Sequence, residues 1–232
     1  MSDAAANTFR LRGREISRIE ALSDAVFGFA ITLLVVSLEV PRSYDELVLL
    51  MRGFVAFGVC FAQLVMVWHF HATFFRRYGL HDQTTVVLNL ILLFVVVFYI
   101  YPLKFMYTLV IDYVIGLNPN PAHPLTITAL QAPTLMAFFS TANLAVFLVL
   151  GLMFVHAYRK RSALALTPFE IAETKGSIGA CIAWVLVAGV SILLACSGLR
   201  GAIAWAGFAY FLLGPLQGLN GWLTGRRVRS PA

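Results

Sequence analysis

Six long apolar runs, separated by short breaks that hold most of the charge, leave this chain few folds to choose from. They cover residues 22–40, 47–75, 85–107, 133–158, 176–197 and 201–223. At about 1.5 Å of rise per residue, each is long enough as a helix to cross a hydrocarbon core of about 30 Å. Hydrocarbon offers no partner to a backbone N–H or C=O, so a run that crosses it satisfies those groups within itself, as a helix does. The chain therefore reads as an all-α integral membrane protein of six transmembrane helices, one domain over residues 1–232 with short tails at both ends. Composition agrees, with 60% of residues hydrophobic and 12% charged, about half the charged share of a soluble domain. The basic stretch before the first run resembles a signal peptide. The run is too long for one and no small-residue cleavage site follows, so it reads as an uncleaved first span.

Basic residues set the expected orientation. Arg10, Arg12, Arg14 and Arg18 precede the first run, Arg76 and Arg77 follow the second, Arg159, Lys160, Arg161 and Lys175 separate the fourth from the fifth, and Arg226, Arg227 and Arg229 follow the sixth. Only Arg42, Arg52, Lys104 and Arg200 fall on the other side. Both termini are thus expected in the cytoplasm of a multi-pass protein. The net charge of +6 belongs to the ends of spans and does not point to nucleic acid. Cys60, Cys181 and Cys196 lie inside apolar runs and read as small buried side chains, not as a disulfide framework or metal site. The longest break, 110–131, contains Asn118-Pro-Asn-Pro-Ala-His-Pro124, which cannot be helical throughout, and reads as an extracytoplasmic connecting loop. Pro215 is expected to kink the sixth helix.

Against this background the informative residues are polar. Ser17 and Glu20 have the spacing of a capping box, which starts the first helix before the membrane and carries Asp24 about two turns in. A carboxylate at the edge of hydrocarbon is costly unless it is paired or faces water. Arg18 and Asp24 are six residues apart, on different faces, so each reaches toward a neighbouring helix instead. Trp68 and His71, near the end of the second run, lie at about the depth of Asp24. Two readings stay open: a network of Arg18, Ser23 and Asp24 with Trp68 and His71, or a capping Asp24 with His71 in the interface. Leu22, Ala25, Phe29, Leu33, Val36 and Val40 form one stripe of the first helix, bordered by Thr32. An apolar stripe in a membrane is no evidence of function by itself. The sequence shows no Cys/His metal spacing, no nucleophile with its base, no phosphate-binding glycine loop and no Thr-Val-Gly-Tyr-Gly filter.

The run Arg18-Ile-Glu-Ala-Leu22-Ser23-Asp24-Ala-Val-Phe27-Gly-Phe29-Ala-Ile-Thr32-Leu33-Leu34 resembles the first-helix hallmark of the transmembrane protein 175 family of potassium channels, in its prokaryotic single-repeat form. Trp68-x-x-His71 and Asn89-Leu-x-Leu-Leu before Pro102 are similar to that family's second- and third-helix patterns. The resemblance implies a homotetramer of six-helix subunits in a prokaryotic plasma membrane. Four first helices line a central pore with no re-entrant filter loop, and potassium is the permeant ion with no cofactor. Carried over by position, the apolar rings that constrict the pore are Phe29, Leu33 and Val36. Thr32 offers a hydroxyl beside them, while Arg18 and Asp24 hold the pore helix to its neighbours, with His71 and Trp68 as partners. Two departures stand out: Leu22 replaces the family's Phe, and Phe29 sits where the family has Ile.

Three functions follow as alternatives. The first is a potassium-permeable leak channel, in which partial dehydration at an apolar ring favours potassium over sodium. The second is a leak for protons or other cations, with His71 and Asp24 titrating at the inner mouth. The third is a non-conducting membrane scaffold of the same fold, plugged by Phe29. A secondary transporter would show paired repeats and broken midplane helices, and an enzyme a reactive constellation. Neither is present in the sequence.

Overall fold

Each helix starts or stops where the sequence supplies a cap or a break. A computed structural model describes residues 8–13, 15–36, 41–117, 127–199 and 201–229. In chain order the helices are α1 Arg18–Val36, α2 Tyr44–Arg52, α3 Phe54–Tyr78, α4 Gln83–Ile115, α5 Ala132–Arg159, α6 Pro168–Cys196 and α7 Ala202–Phe208. A 3₁₀ turn, Ala209–Leu212, then leads into α8 Leu213–Arg229. Five segments are long and apolar enough to cross a membrane: α3, α4, α5, α6 and the stretch Ala202–Val228. With α1, which has 19 residues, they account for the six spans. Residues 37–40, expected at the end of the first span, lie outside the described residues, as does the Pro-rich stretch 118–126.

Three boundaries differ from expectation, each for a local reason. The second span does not start at 47, because residues Tyr44–Arg52 form a separate helix. Ser43 caps it by accepting from the Glu46 backbone N–H, and it ends at Gly53. None of its residues is buried, so the apolar run 47–75 joins a surface helix to a membrane helix. The third span does not end at 107. It continues through Pro102 to Ile115 and stops only at Gly116, whose φ of 71° is left-handed. The fifth span begins two turns before 176, where the Thr167 hydroxyl accepts from Glu170 N–H, Glu170 returns the bond, and Pro168 occupies the first turn. The expected irregularity at Pro215 lies one turn earlier, in the 3₁₀ turn Ala209–Leu212, where a proline at 215 has no N–H to give the carbonyl of Phe211.

The helices pack in a chain of neighbours. α1 lies on α3 and α4, α4 on α5, α5 on α6, and α6 on α8. α1 buries Ser23, Phe27, Ala30 and Leu34, a four-three-four spacing that defines one face. Phe27 and Leu34 enter a continuous core with Leu64, Phe74, Phe75, Leu92, Phe147 and Phe154.

Candidate pore helix and its anchors

With one face of α1 buried, its other face is laid bare. Arg18, Leu22, Ala25, Phe29 and Thr32 are all exposed, Phe29 at 59%. Leu33 sits on the flank, half-buried against the core, so it does not share the exposure of Phe29. Val36 closes the helix; its side chain lies outside the described residues. The Thr32 hydroxyl donates to the Phe29 carbonyl at 2.7 Å. That bond commits its proton and leaves the oxygen lone pairs toward the open side as acceptors.

Two hydrogen-bonded connections fix the N-terminal half of α1. In one, Trp68 Nε1 of α3 donates to Asp24 Oδ1 at 2.8 Å. In the other, the Ser23 hydroxyl donates to the Ile19 carbonyl at 2.7 Å and accepts from Asn89 Nδ2 at 3.0 Å. Asn89 Oδ1 lies 2.7 Å from His71 Nε2. Since Asn89 uses its amide as donor to Ser23, its oxygen accepts here, and His71 carries its proton on Nε2. Nδ1 of His71 is then a buried lone pair with no partner among the described residues. The ring is wedged between Phe27 and Phe75, at centroid distances of 5.6 and 4.8 Å.

The expected network is therefore divided. Asp24 meets Trp68; Ser23 meets His71 only through Asn89. Arg18 is exposed and has no hydrogen-bonding or ion-pair partner among the described residues. The residue that joins Ser23 to His71, Asn89, is signalled in the sequence by being an amide inside the apolar run 85–107. Lys104, expected among the outer-side charges, reaches from α4 to the last turns of α1, where Nζ donates to the Leu34 carbonyl at 2.8 Å. The Ser17–Glu20 capping box is formed, with Glu20 N–H donating to Ser17 Oγ at 3.3 Å and Ser17 N–H to Glu20 Oε1 at 3.2 Å. Among the described residues no group of three or more His, Cys, Asp or Glu side chains is placed to hold a metal.

The anchored stretch coincides with a known sequence pattern. The family described as endosomal/lysosomal potassium channel TMEM175 matches residues 18–99, from the start of α1 to the middle of α4. A protein from Marivirga tractuosa named a potassium channel is 36% identical over 229 residues, covering 95% of this chain and 92% of its own. The chain belongs to the TMEM175 family. Another relative, a potassium channel from Chamaesiphon minutus, is 34% identical over 96 residues, 38% of this chain and 47% of its own. The TMEM175 fold is matched as well. The crystal structure of a variant of the potassium channel MtTMEM175, bound to a nanobody–MBP fusion, superposes with a TM-score of 0.82 at 35% identity. It covers 94% of this chain and 97% of the other.

Proposed function

We propose that the protein is a potassium-permeable leak channel, a homotetramer in the plasma membrane of a prokaryote with both termini in the cytoplasm, built from one transmembrane domain over residues 1–232. Relatives named as potassium channels, one similar over nearly the whole chain, support the activity. One observation carries the pore assignment: α1 is the helix whose face bearing Phe29 and Thr32 is open although its opposite face is anchored by buried hydrogen bonds. In an assembly this face lines the conduit. Phe29 forms the most prominent apolar ring, with Leu33 at its flank and Val36 toward the end of the helix. An apolar ring is a barrier to a hydrated ion. Potassium sheds part of its shell more readily than sodium, and the Thr32 oxygen replaces part of what is lost. Arg18, Ser23, Asp24, Trp68 and His71 act as framework, with potassium as permeant and no cofactor.

The proton-leak alternative gains less support, since His71 bonds to Asn89 and not to Asp24. Potassium and sodium flux through purified protein in liposomes, for the parent and for Phe29→Ile, tests the proposal. Potassium-favouring flux in the parent is the expected result, increased in Phe29→Ile. Flux in the variant alone makes Phe29 a plug, and silence in both leaves the scaffold.

A further inference from the structure

The segment before α1 is more than a tail. Residues 9–13 cross the end of the bundle where α3 finishes and α6 begins. The Arg12 guanidinium forks onto Glu170, Nη1 to Oε1 at 3.1 Å and Nη2 to Oε2 at 2.8 Å. Its Nε donates to the Leu164 carbonyl at 3.1 Å. Glu170 is fully buried at its side chain and accepts a further bond from Arg10 N–H at 2.9 Å. The Arg12 and Gly13 amides both donate to the Arg76 carbonyl at 3.2 Å. Phe9 lies edge-on to Tyr78 at 5.7 Å, beneath the Arg77 guanidinium at 4.7 Å. The fit admits no extra atom: a Cβ on Gly13 would stand 2.5 Å from the Phe75 carbonyl oxygen.

Three residues separate Gly13 from Ser17, the N-cap of α1. α1 itself packs on α3 and α4, whereas Glu170 and Leu164 belong to α6 and the α5–α6 connection. The segment thus ties the start of α1 to a part of the bundle remote from its own packing face. We propose that Arg12 and Glu170 are positioning residues for α1. Their ion pair holds the segment taut, sets the height and rotation of Phe29 in the pore, and makes ion passage responsive to the α5–α6 end of the molecule. This rests on α1 lining the pore.

The test is a double-mutant cycle on the full-length protein in liposomes, with Arg12→Gln, Glu170→Gln and the pair together. Each protein is measured for potassium flux and melting temperature. Arg12→Gln alone leaves the buried Glu170 carboxylate with only the Arg10 guanidinium, 3.5 Å away, and backbone N–H donors, and melts earliest; removing both charges restores most of the melting temperature. If the segment positions α1, flux in the double variant stays shifted from the parent by about fivefold, the lower end of couplings between separate sites. Flux that returns to the parental rate in the double variant, or that follows melting temperature through all three, overturns the inference.

A second readout does not depend on conduction. The rate at which a thiol reagent modifies Phe29→Cys, with Cys196→Ser as background, is measured well below melting with and without the double change. A changed rate supports the tether and an unchanged rate overturns it, even if the double variant melts early. Parental flux in Phe29→Ala would remove the pore reading alone, while the thiol rates still decide whether Arg12 and Glu170 position α1.

Discussion

The two halves of this bundle solve the same packing problem differently. In the half made by α1, α3 and α4, side chains hydrogen-bond to side chains across helices: Trp68 to Asp24, Asn89 to Ser23 and His71, and Gln63 to Tyr99 and Tyr107, both at 2.6 Å. In the half made by α5, α6 and α8, close approach dominates. A Cβ on Gly151 would lie 3.3 Å from that of Cys181, one on Gly176 would lie 2.6 Å from Thr224 Oγ1, and one on Gly179 would strike Asn220. Here the polar side chains of α8 bond to buried backbone of α6, Asn220 to the Gly176 carbonyl at 2.9 Å and Gln217 to that of Ala180 at 3.0 Å, and side-chain pairing across helices is confined to short hydroxyl links, Ser140 with Ser191 at 2.9 Å and Tyr210 with Ser140 at 3.0 Å. Apolar contacts gain little in lipid, since the tails are as apolar as the side chains. Specificity must come from directional bonds or from surfaces that admit only one fit. The half with α1 relies mainly on the former, which fixes register and rotation together.

Substitutions separate these two strategies. Gly179→Leu should be the most damaging, because it drives α8 off α6 and breaks the Asn220 bond. A loss of about 3 kcal/mol, read as early melting in detergent, is expected with the α1 contacts intact; wild-type melting would mean that Asn220 simply swings aside. Asn89→Leu comes next, at about 2 kcal/mol, since it leaves the buried His71 Nε2–H without its acceptor and takes from Ser23, still bonded to Ile19, the donor to its oxygen. Its flux should change as well, because the rotation of α1 is released, and a stability loss without any flux change would separate the bond from the pore. Trp68→Phe removes one donor to a partly exposed carboxylate, and about 1 kcal/mol is expected from a charge-assisted bond in reach of water.

The smallest effect lies outside the membrane, between α3 and α4. Asp82 accepts from Thr85 Oγ1 at 2.8 Å and lies 2.9 Å from His156 Nε2 and 3.3 Å from Lys160 Nζ. Partial burial alone would raise its carboxyl, but the Thr85 hydroxyl, His156 and Lys160 outweigh this and hold it at about 2. A depressed carboxyl contributes stability above its unfolded value of about 3.9 and loses it as pH falls toward the folded one. Melting of the parent should therefore decline between about pH 4 and pH 2 more steeply than that of Asp82→Asn, whereas equal slopes would show that this cluster adds nothing.

The existence of the spans was legible, though not all their ends, because length and hydropathy alone decide what crosses a membrane. Side-chain partners were harder. The Trp68–Asp24 contact could be expected from matched depth. Asn89 had to be weighed as a polar residue where any polar atom needs a partner, and its bridging position depends on how α4 is rotated, which an all-apolar helix does not reveal. The break at Gly53 was missed because hydropathy hardly changes across it, although Ser43 and Glu46 already had capping spacing. The docked stretch 9–13 has no periodicity to read; only the folded neighbours of Glu170 show why two arginines stand there.

α4 spans 33 residues, about 50 Å as a straight helix, against a hydrocarbon layer of about 30 Å. Its last turn is uncovered, with Tyr113 at 89% and Val114 at 70% exposure. A strut so much longer than its surroundings must lean or stand proud, and the choice depends on the thickness of the lipid around it. Because α4 also grips α1 through Asn89 and Lys104, any lean is passed to the helix it holds. The seating of α4 in lipid and the placement of α1 are therefore one geometric problem, not two.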